Sequence, residues 1–220
     1  MSETLHKVVV VDDHDLVRMG ICGLIDDIDG VVVVGECASG EEALGMVREL
    51  RPDIVFMDIR MPGMGGLEAT DRLLASHPDL KVIVISAFND EIYPTQLLKA
   101  GAVGYITKNA EHDEIRQAVH KVLVGEVYVS SAIAQQLVIN GLASGQEASP
   151  FARLSKRELQ ITQMICSGHR PNKIAAVLNV SPKTINTHKY RVFEKLNVHN
   201  DVELTLTAVK YGLVDPDEII

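Results

Sequence analysis

Five short runs of β-branched and apolar residues constrain this chain more than any other feature. They are Val8-Val9-Val10-Val11, Val31-Val32-Val33-Val34, Ile54-Val55-Phe56-Met57, Val82-Ile83-Val84-Ile85 and Val103-Gly104-Tyr105-Ile106. None alternates apolar with polar residues, so each suits a strand covered on both faces. The stretches between them carry helical periods instead. Val17, Ile21, Leu24, Ile25 and Ile28 fall on one helical stripe, as do Ile115, Ala118, Val119 and Val122. Strands and helices in alternation predict an α/β fold, a five-stranded doubly wound parallel sheet with helices on both faces. In such a sheet, function gathers at the carboxyl ends of the strands.

Those ends are polar. The first run stops at Asp12-Asp13, the third at Asp58, the fourth at Ser86 and the fifth at Thr107-Lys108. Because the strands run in one direction, these groups converge on one edge. A lone aspartate after a strand is an ordinary helix cap, but capping does not call for polar groups such as these at four strand ends of one sheet. Three carboxylates together are tolerable only if one is protonated or a cation sits among them. Carboxylate oxygens with room left for water and phosphate favour Mg²⁺ over a closed zinc cage. A carboxylate nucleophile, a divalent metal, a lysine and a hydroxyl donor are the parts needed to form an aspartyl phosphate.

Residues 7–124 resemble the receiver domain of bacterial two-component response regulators, a flavodoxin-like fold. The matching stretches are Val9-Val10-Val11-Asp12-Asp13-His14, Met57-Asp58-Ile59-Arg60-Met61-Pro62-Gly63-Met64-Gly65-Gly66, Ser86-Ala87 and Gly101-Ala102-Val103-Gly104-Tyr105-Ile106-Thr107-Lys108. The resemblance implies Asp58 as phosphoacceptor and Asp13, Asp58 and the Arg60 carbonyl as direct Mg²⁺ ligands, with Asp12 acting mainly through water. It implies that Lys108 binds the phosphoryl oxygens, and that Ser86 bonds the phosphoryl group and leaves room into which Tyr105 rotates. Two positions set this chain apart. Lys108 is followed by Asn109, where many receivers have a proline, and Arg60 and Phe88 stand where they could block or order the attacking water.

The rest of the chain is of another kind. Residues 1–150 hold 11 Lys/Arg against 23 Asp/Glu, whereas residues 151–200 hold 9 against 2. An acidic half and a basic block predict two domains with different partners. Ser144-Gly145-Gln146-Glu147-Ala148-Ser149-Pro150 is rich in turn formers and has no apolar period, as a tether requires. Before it, Ser130 to Gly141 reads as a connector helix with Ala134, Leu137 and Val138 on one face. The expected division is a receiver over 1–126, a connector helix and linker over 127–150, and a small all-α domain over 151–220.

Within that last domain, Ser155 and Glu158 form a capping box for a helix over about 156–167, with Gly168 as its stop. A second helix spans about 172–179. Ser181 as cap and Pro182 at the first position open a third, running to about Leu196. Ile185, Val192 and Leu196 form its buried stripe. Lys183, Thr184, Asn186, Thr187, Tyr190 and Arg191 lie on the other side, and amides, hydroxyls and cations on one helical face suit the major groove. His188, at the edge of the stripe, is a packing or phosphate residue. A fourth helix, capped by Asn200 with Glu203, carries Val202, Leu206 and Val209 on one face, for core or dimer contact.

Leu154 to Gln160 and Ile174 to Ile185 resemble the LuxR-type output domain. With a receiver in front, the chain resembles the NarL/FixJ subfamily over nearly its whole length, and around residues 149–152 and 198–205 the GacA/UvrY group of global regulators. That resemblance implies base contacts from Asn186, Thr187 and Tyr190 and phosphate contacts from Lys183, Thr184, Arg191 and Lys195, with Lys189 the weakest candidate. It implies a sensor histidine kinase as phosphoryl donor, double-stranded DNA as ligand and a homodimer once phosphorylated. Modification of Asp58 would loosen the acidic domain from the basic one. The chain would be no enzyme beyond its own phosphorylation and dephosphorylation. Two other readings stand beside this one: a phosphatase with an aspartyl intermediate, and a receiver whose helical domain binds a protein partner. No run of 18 apolar residues and no signal-peptide core is evident, and three scattered cysteines suit reduced thiols. A cytoplasmic protein without membrane contact is expected.

Overall fold

The computed structural model describes residues 5–86, 93–142 and 149–214. The chain divides into two compact units, one holding the described residues up to Leu137 and the other beginning at Val138.

The first unit is built on one sheet of β1 (His6–Val11), β2 (Val31–Cys37), β3 (Ile54–Asp58), β4 (Lys81–Ser86), β5 (Gly104–Thr107) and β6 (Tyr128–Val129). The order is β2-β1-β3-β4-β5-β6, and every neighbouring pair is parallel. Five helices connect the strands: α1 (Asp15–Asp26), α2 (Gly40–Leu50), α3 (Gly66–Ser76), α4 (Tyr93–Ala100) and α5 (His112–Leu123). Side chains alternate across the sheet. Val8, Val10, Ile54, Phe56, Ile83, Ile85 and Ile106 join Ile21, Ile25, Ile115, Ala118, Val119 and Val122 of α1 and α5 in one buried cluster. Val9, Val11, Val55, Met57, Val82, Val84 and Tyr105, also buried, take the opposite face.

The sheet departs from expectation at both edges. β2 pairs on one side only, with β1, and Val32, Val33 and Val34 are half-buried rather than covered on both faces. At the other edge β6 is a sixth strand where five were expected. Its Tyr128 and Val129 pair with Gly104 and Tyr105 of β5. Two residues are too few to show any period, so only the neighbouring strand reveals this element.

The helix α6 (Ser131–Leu142) follows, with Ile133 buried and Val138 exposed. Of the expected tether, residues 144–148 lie outside the described residues, while Pro150 already opens a 3-10 turn over Pro150–Arg153. The second unit then holds α7 (Lys156–Cys166), α8 (Pro171–Val177), α9 (Pro182–Leu196) and α10 (Asp201–Lys210). Local chemistry marks each boundary. Ser155 and Glu158 form the reciprocal capping box, Gly168 turns the chain at φ 76°, Ser181 caps α9 through the Thr184 amide, and Asn200 caps α10 through the Glu203 amide. The core gathers Phe151, Leu159, Ile165, Ile174, Leu178, Ile185, Val192 and Leu204. Phe151 meets Tyr211 edge to face, with ring centroids 6.3 Å apart. Leu196, expected in the buried stripe, is only half-buried.

Candidate functional site

The parallel sheet brings the ends of β1, β3, β4 and β5 together. Asp12, at the end of β1, and Asp58, the last residue of β3, are buried, with 0% and 1% of their surface exposed. Lys108 reaches between them, its Nζ 2.9 Å from Asp12 Oδ2 and 2.8 Å from Asp58 Oδ2. The Arg60 amide donates to Asp58 Oδ1 at 3.3 Å, and the His14 amide donates to Asp12 Oδ1 at 2.8 Å. Asp13 stands at the rim with its Oδ1 2.9 Å from His14 Nδ1. One ligand atom from each of Asp12, Asp13, His14 and Asp58 lies within 4.8 Å of the others.

The loops bearing these groups are held closely. The Lys108 amide donates to the Ser86 carbonyl at 2.7 Å, which ties the ends of β4 and β5 together. Ser86 and Tyr105 are both fully buried. After Asp58 the chain passes Gly63, at φ 78°, and enters α3 at Gly66, where a Cβ would stand 1.9 Å from the Asp58 carbonyl oxygen. Glu41 of α2 accepts from the Met64 amide at 2.9 Å and so secures this loop.

Burial and charge compete in the pocket. Burial pushes the Asp58 carboxyl up to about 7; Lys108 pulls against it and Asp12 adds to it. Burial also disfavours the Lys108 ammonium, but the two carboxylates outweigh it and raise its proton affinity. A pocket holding more negative than positive groups, lined by hard oxygen donors, can hold a divalent cation and can present Asp58 to an electrophile.

In the second unit, α9 buries Ile185 and Val192 and exposes Lys183, Asn186, Thr187, Tyr190 and Arg191. Tyr190 is 67% exposed, an unusual position for a large aromatic side chain. Thr184 and Thr187 have local bonds, Thr184 Oγ1 with Ser181 Oγ at 2.8 Å and Thr187 Oγ1 to the Lys183 carbonyl at 3.0 Å.

Residues 8–120 match the response regulator receiver domain, and residues 152–208 match the bacterial regulatory proteins of the luxR family. The chain belongs to the response regulators. It is 51% identical to the response regulator GacA of Pseudomonas aeruginosa over 95% of this chain and 98% of that one. With the response regulator UvrY of Escherichia coli it shares 44% identity over 97% of this chain and 98% of that one. A solved structure of the Salmonella typhimurium response regulator RcsB superposes with a TM-score of 0.76 at 24% identity, covering 94% of this chain and 98% of that one, and has the same fold. This response regulator therefore joins a receiver to a LuxR-type DNA-binding domain, homologous to the GacA and UvrY regulators.

The structure of the regulator brings Asp12, Asp13, Asp58 and Lys108 into one pocket, with Ser86 tied to Lys108 through its carbonyl. Phe88 and Ala87 lie outside the described residues. No cis peptide bond occurs near Asn109. Lys195 is paired within the fold: its Nζ sits 2.6 Å from Oε2 of Glu158, which is buried, while the lysine side chain itself stays 40% exposed. Lys189 is similarly engaged, 2.6 Å from Asp201. His188 is half-buried, and burial holds its imidazole below the usual range. Sequence reasoning missed His14 as a neighbour of the carboxylates and Glu41 as a support of the Asp58 loop. The first was signalled only by following Asp13 directly; the second, 17 residues before Asp58 on another helix, carried no signal.

Proposed function

We propose that this response regulator accepts a phosphoryl group on Asp58 from a sensor histidine kinase and, so modified, binds double-stranded DNA as a homodimer to control transcription. The observation that carries this reading is the Asp58 carboxylate itself: buried, held between the Lys108 ammonium and the Arg60 amide, and grouped with two further carboxylates. An isolated buried carboxylate would be protonated, and one Lys108 cannot balance three of them. The surplus charge and the oxygen donors fit Mg²⁺, which Asp13, Asp58 and the Arg60 carbonyl would hold, with Asp12 acting through water. When bound, the ion supplies positive charge that offsets the phosphoryl oxygens as they approach the carboxylates.

The chain's own residues do the rest. A carboxylate oxygen of Asp58 forms the new bond to phosphorus while the donor's nitrogen–phosphorus bond breaks, and the electron pair leaves with the imidazole. Lys108, already at 2.8 Å, binds the incoming oxygens. Ser86 then hydrogen-bonds the phosphoryl group and Tyr105 follows it, a two-state change biased by one local charge event. In the helical domain, Asn186, Thr187 and Tyr190 read bases, and Lys183, Thr184 and Arg191 contact phosphates. Lys195 holds the recognition helix instead. The solved RcsB structure concerns DNA interaction in that protein, which supports the same use of this unit. Val202 and Leu206, 68% and 66% exposed on α10, are a dimer face rather than core. The protein acts in the cytoplasm, where Cys22, Cys37 and Cys166 stay reduced, and its only chemistry is on itself.

The test is selection from a randomised duplex library with the phosphorylated protein, followed by anisotropy on the selected duplex with both forms. A two-fold symmetric site bound more tightly after phosphorylation, with affinity falling as salt rises, is expected. No enriched sequence would favour the protein-interaction reading. Multiple turnovers of p-nitrophenyl phosphate would favour the phosphatase reading.

A further inference from the structure

Arg18 lies one turn into α1 and uses its guanidinium in three directions. One terminal nitrogen donates to the Asp12 carbonyl at 2.7 Å, the other to Asp15 Oδ1 at 2.7 Å, and Nε donates to Glu36 Oε2 on β2 at 3.3 Å. The side chain is only 14% exposed. The Asp12 amide, for its part, donates to the Cys37 carbonyl at the end of β2 at 3.1 Å. Both backbone polar groups of Asp12 are thus held, one by the sheet and the other by Arg18. This peptide carries Asp12 into Asp13, and its exit direction decides where both carboxylates stand. The partners of Arg18 are a carbonyl and two carboxylates outside the pocket, so it acts on the pocket through the backbone.

We propose that Arg18 is a positioning residue: by anchoring the Asp12 carbonyl to α1 and β2 it sets the pocket's affinity for its divalent cation. The proposal rests on the reading of the pocket as a cation-dependent phosphorylation site. Two effects of Arg18 have opposite signs, which makes the proposal decidable. As a nearby positive charge Arg18 opposes cation binding, and removing it would also bare Asp15 and Glu36, so by charge alone the site would bind Mg²⁺ more tightly. As an anchor, its removal leaves the Asp12 carbonyl without its donor and lets the two carboxylates spread, so the site would bind Mg²⁺ more weakly. Lysine keeps the charge but not the planar three-way fork, so Arg18→Lys separates the two effects.

Mg²⁺ titration of the full chain by isothermal calorimetry, beside phosphorylation from acetyl phosphate at a series of Mg²⁺ concentrations, tests this. Arg18→Ala and Arg18→Lys are each expected to raise the Mg²⁺ Kd by about 3- to 10-fold. Their phosphorylation rates should lag at low Mg²⁺ and approach the wild type at saturation. A general structural defect would lower the saturating rate instead. Arg18→Lys, which keeps the aliphatic stem and the charge on α1, keeps the positioning role testable if Arg18→Ala does not fold. Unchanged or tighter Mg²⁺ binding in the Arg18 variants, with the wild type binding normally, would overturn the positioning role alone. A wild type that binds no Mg²⁺ would overturn the pocket reading, and this proposal with it.

Discussion

Asp58 is where burial and charge are most in conflict, and the conflict has a pH signature. Its carboxyl titrates near 7 in the folded chain, against an unfolded value of about 4. The folded state therefore holds the proton more tightly than the unfolded one. The associated stability is fully present below the unfolded value and is lost as pH rises towards 7. Asp58→Asn, which cannot ionise, should be more stable than the wild type at pH 8 in Mg²⁺-free buffer by on the order of 2 kcal/mol. The difference should vanish near pH 4, as thermal melts at the two pH values would show; an equal gain at both would contradict the account. Gly66 is a second exacting residue. A methyl group there would press on the Asp58 carbonyl, so Gly66→Ala should cost about 1–3 kcal/mol in urea denaturation. Most of the pocket was legible because each polar residue ends an apolar run. Glu41 and Arg18 were not, because their value lies in a contact with a loop from elsewhere in the chain.

Among the elements, the helical unit shows how a charge read as a ligand contact can also have a partner within the fold. Lys195 belongs to a basic stretch, and nothing near it in sequence signals its partner. Glu158 lies 37 residues away, and it both closes the capping box of α7 and binds Lys195 of α9. Burial works against its charge, but Lys195 and Ser155 outweigh it and hold the carboxyl below the usual range. The stability this gives is present above the unfolded pKa and is lost as pH falls through the folded one. Glu158→Ala should destabilise the helical unit by about 2 kcal/mol. Glu158→Gln, which can still cap, should cost less in the same melt. A loss confined to DNA affinity would show Lys195 acting on phosphate after all. On the outer face of α9, Asn186→Ala and Tyr190→Ala should weaken specific binding by about 1–3 kcal/mol and non-specific binding far less. Equal losses would remove the base-reading assignment. The helix boundaries were readable because caps and turn residues are local. The partial exposure of β2 and the presence of β6 were not, since an edge is a property of the finished sheet.

Across the whole molecule, the segregation of charge was visible before any fold was. Residues 151–200 carry nine basic side chains and two acidic ones, and the second unit presents Lys183 and Arg191 on one exposed helix face. Two subunits with two such cations each would release about four counterions. The plot of log affinity against log salt should then have a slope near −4. Lys183→Ala should lower its magnitude by about 2 for a dimer, one per subunit. The acidic unit would contribute none of this; in the proposed function it changes state when Asp58 is modified. That modification is the central claim, and intact mass after incubation with acetyl phosphate and Mg²⁺ tests it most directly, with the wild type beside Asp58→Asn. The wild type alone should gain one phosphoryl group, and a chelator should abolish the gain. An equal gain in Asp58→Asn, or none in the wild type under any phosphoryl donor, would contradict that claim.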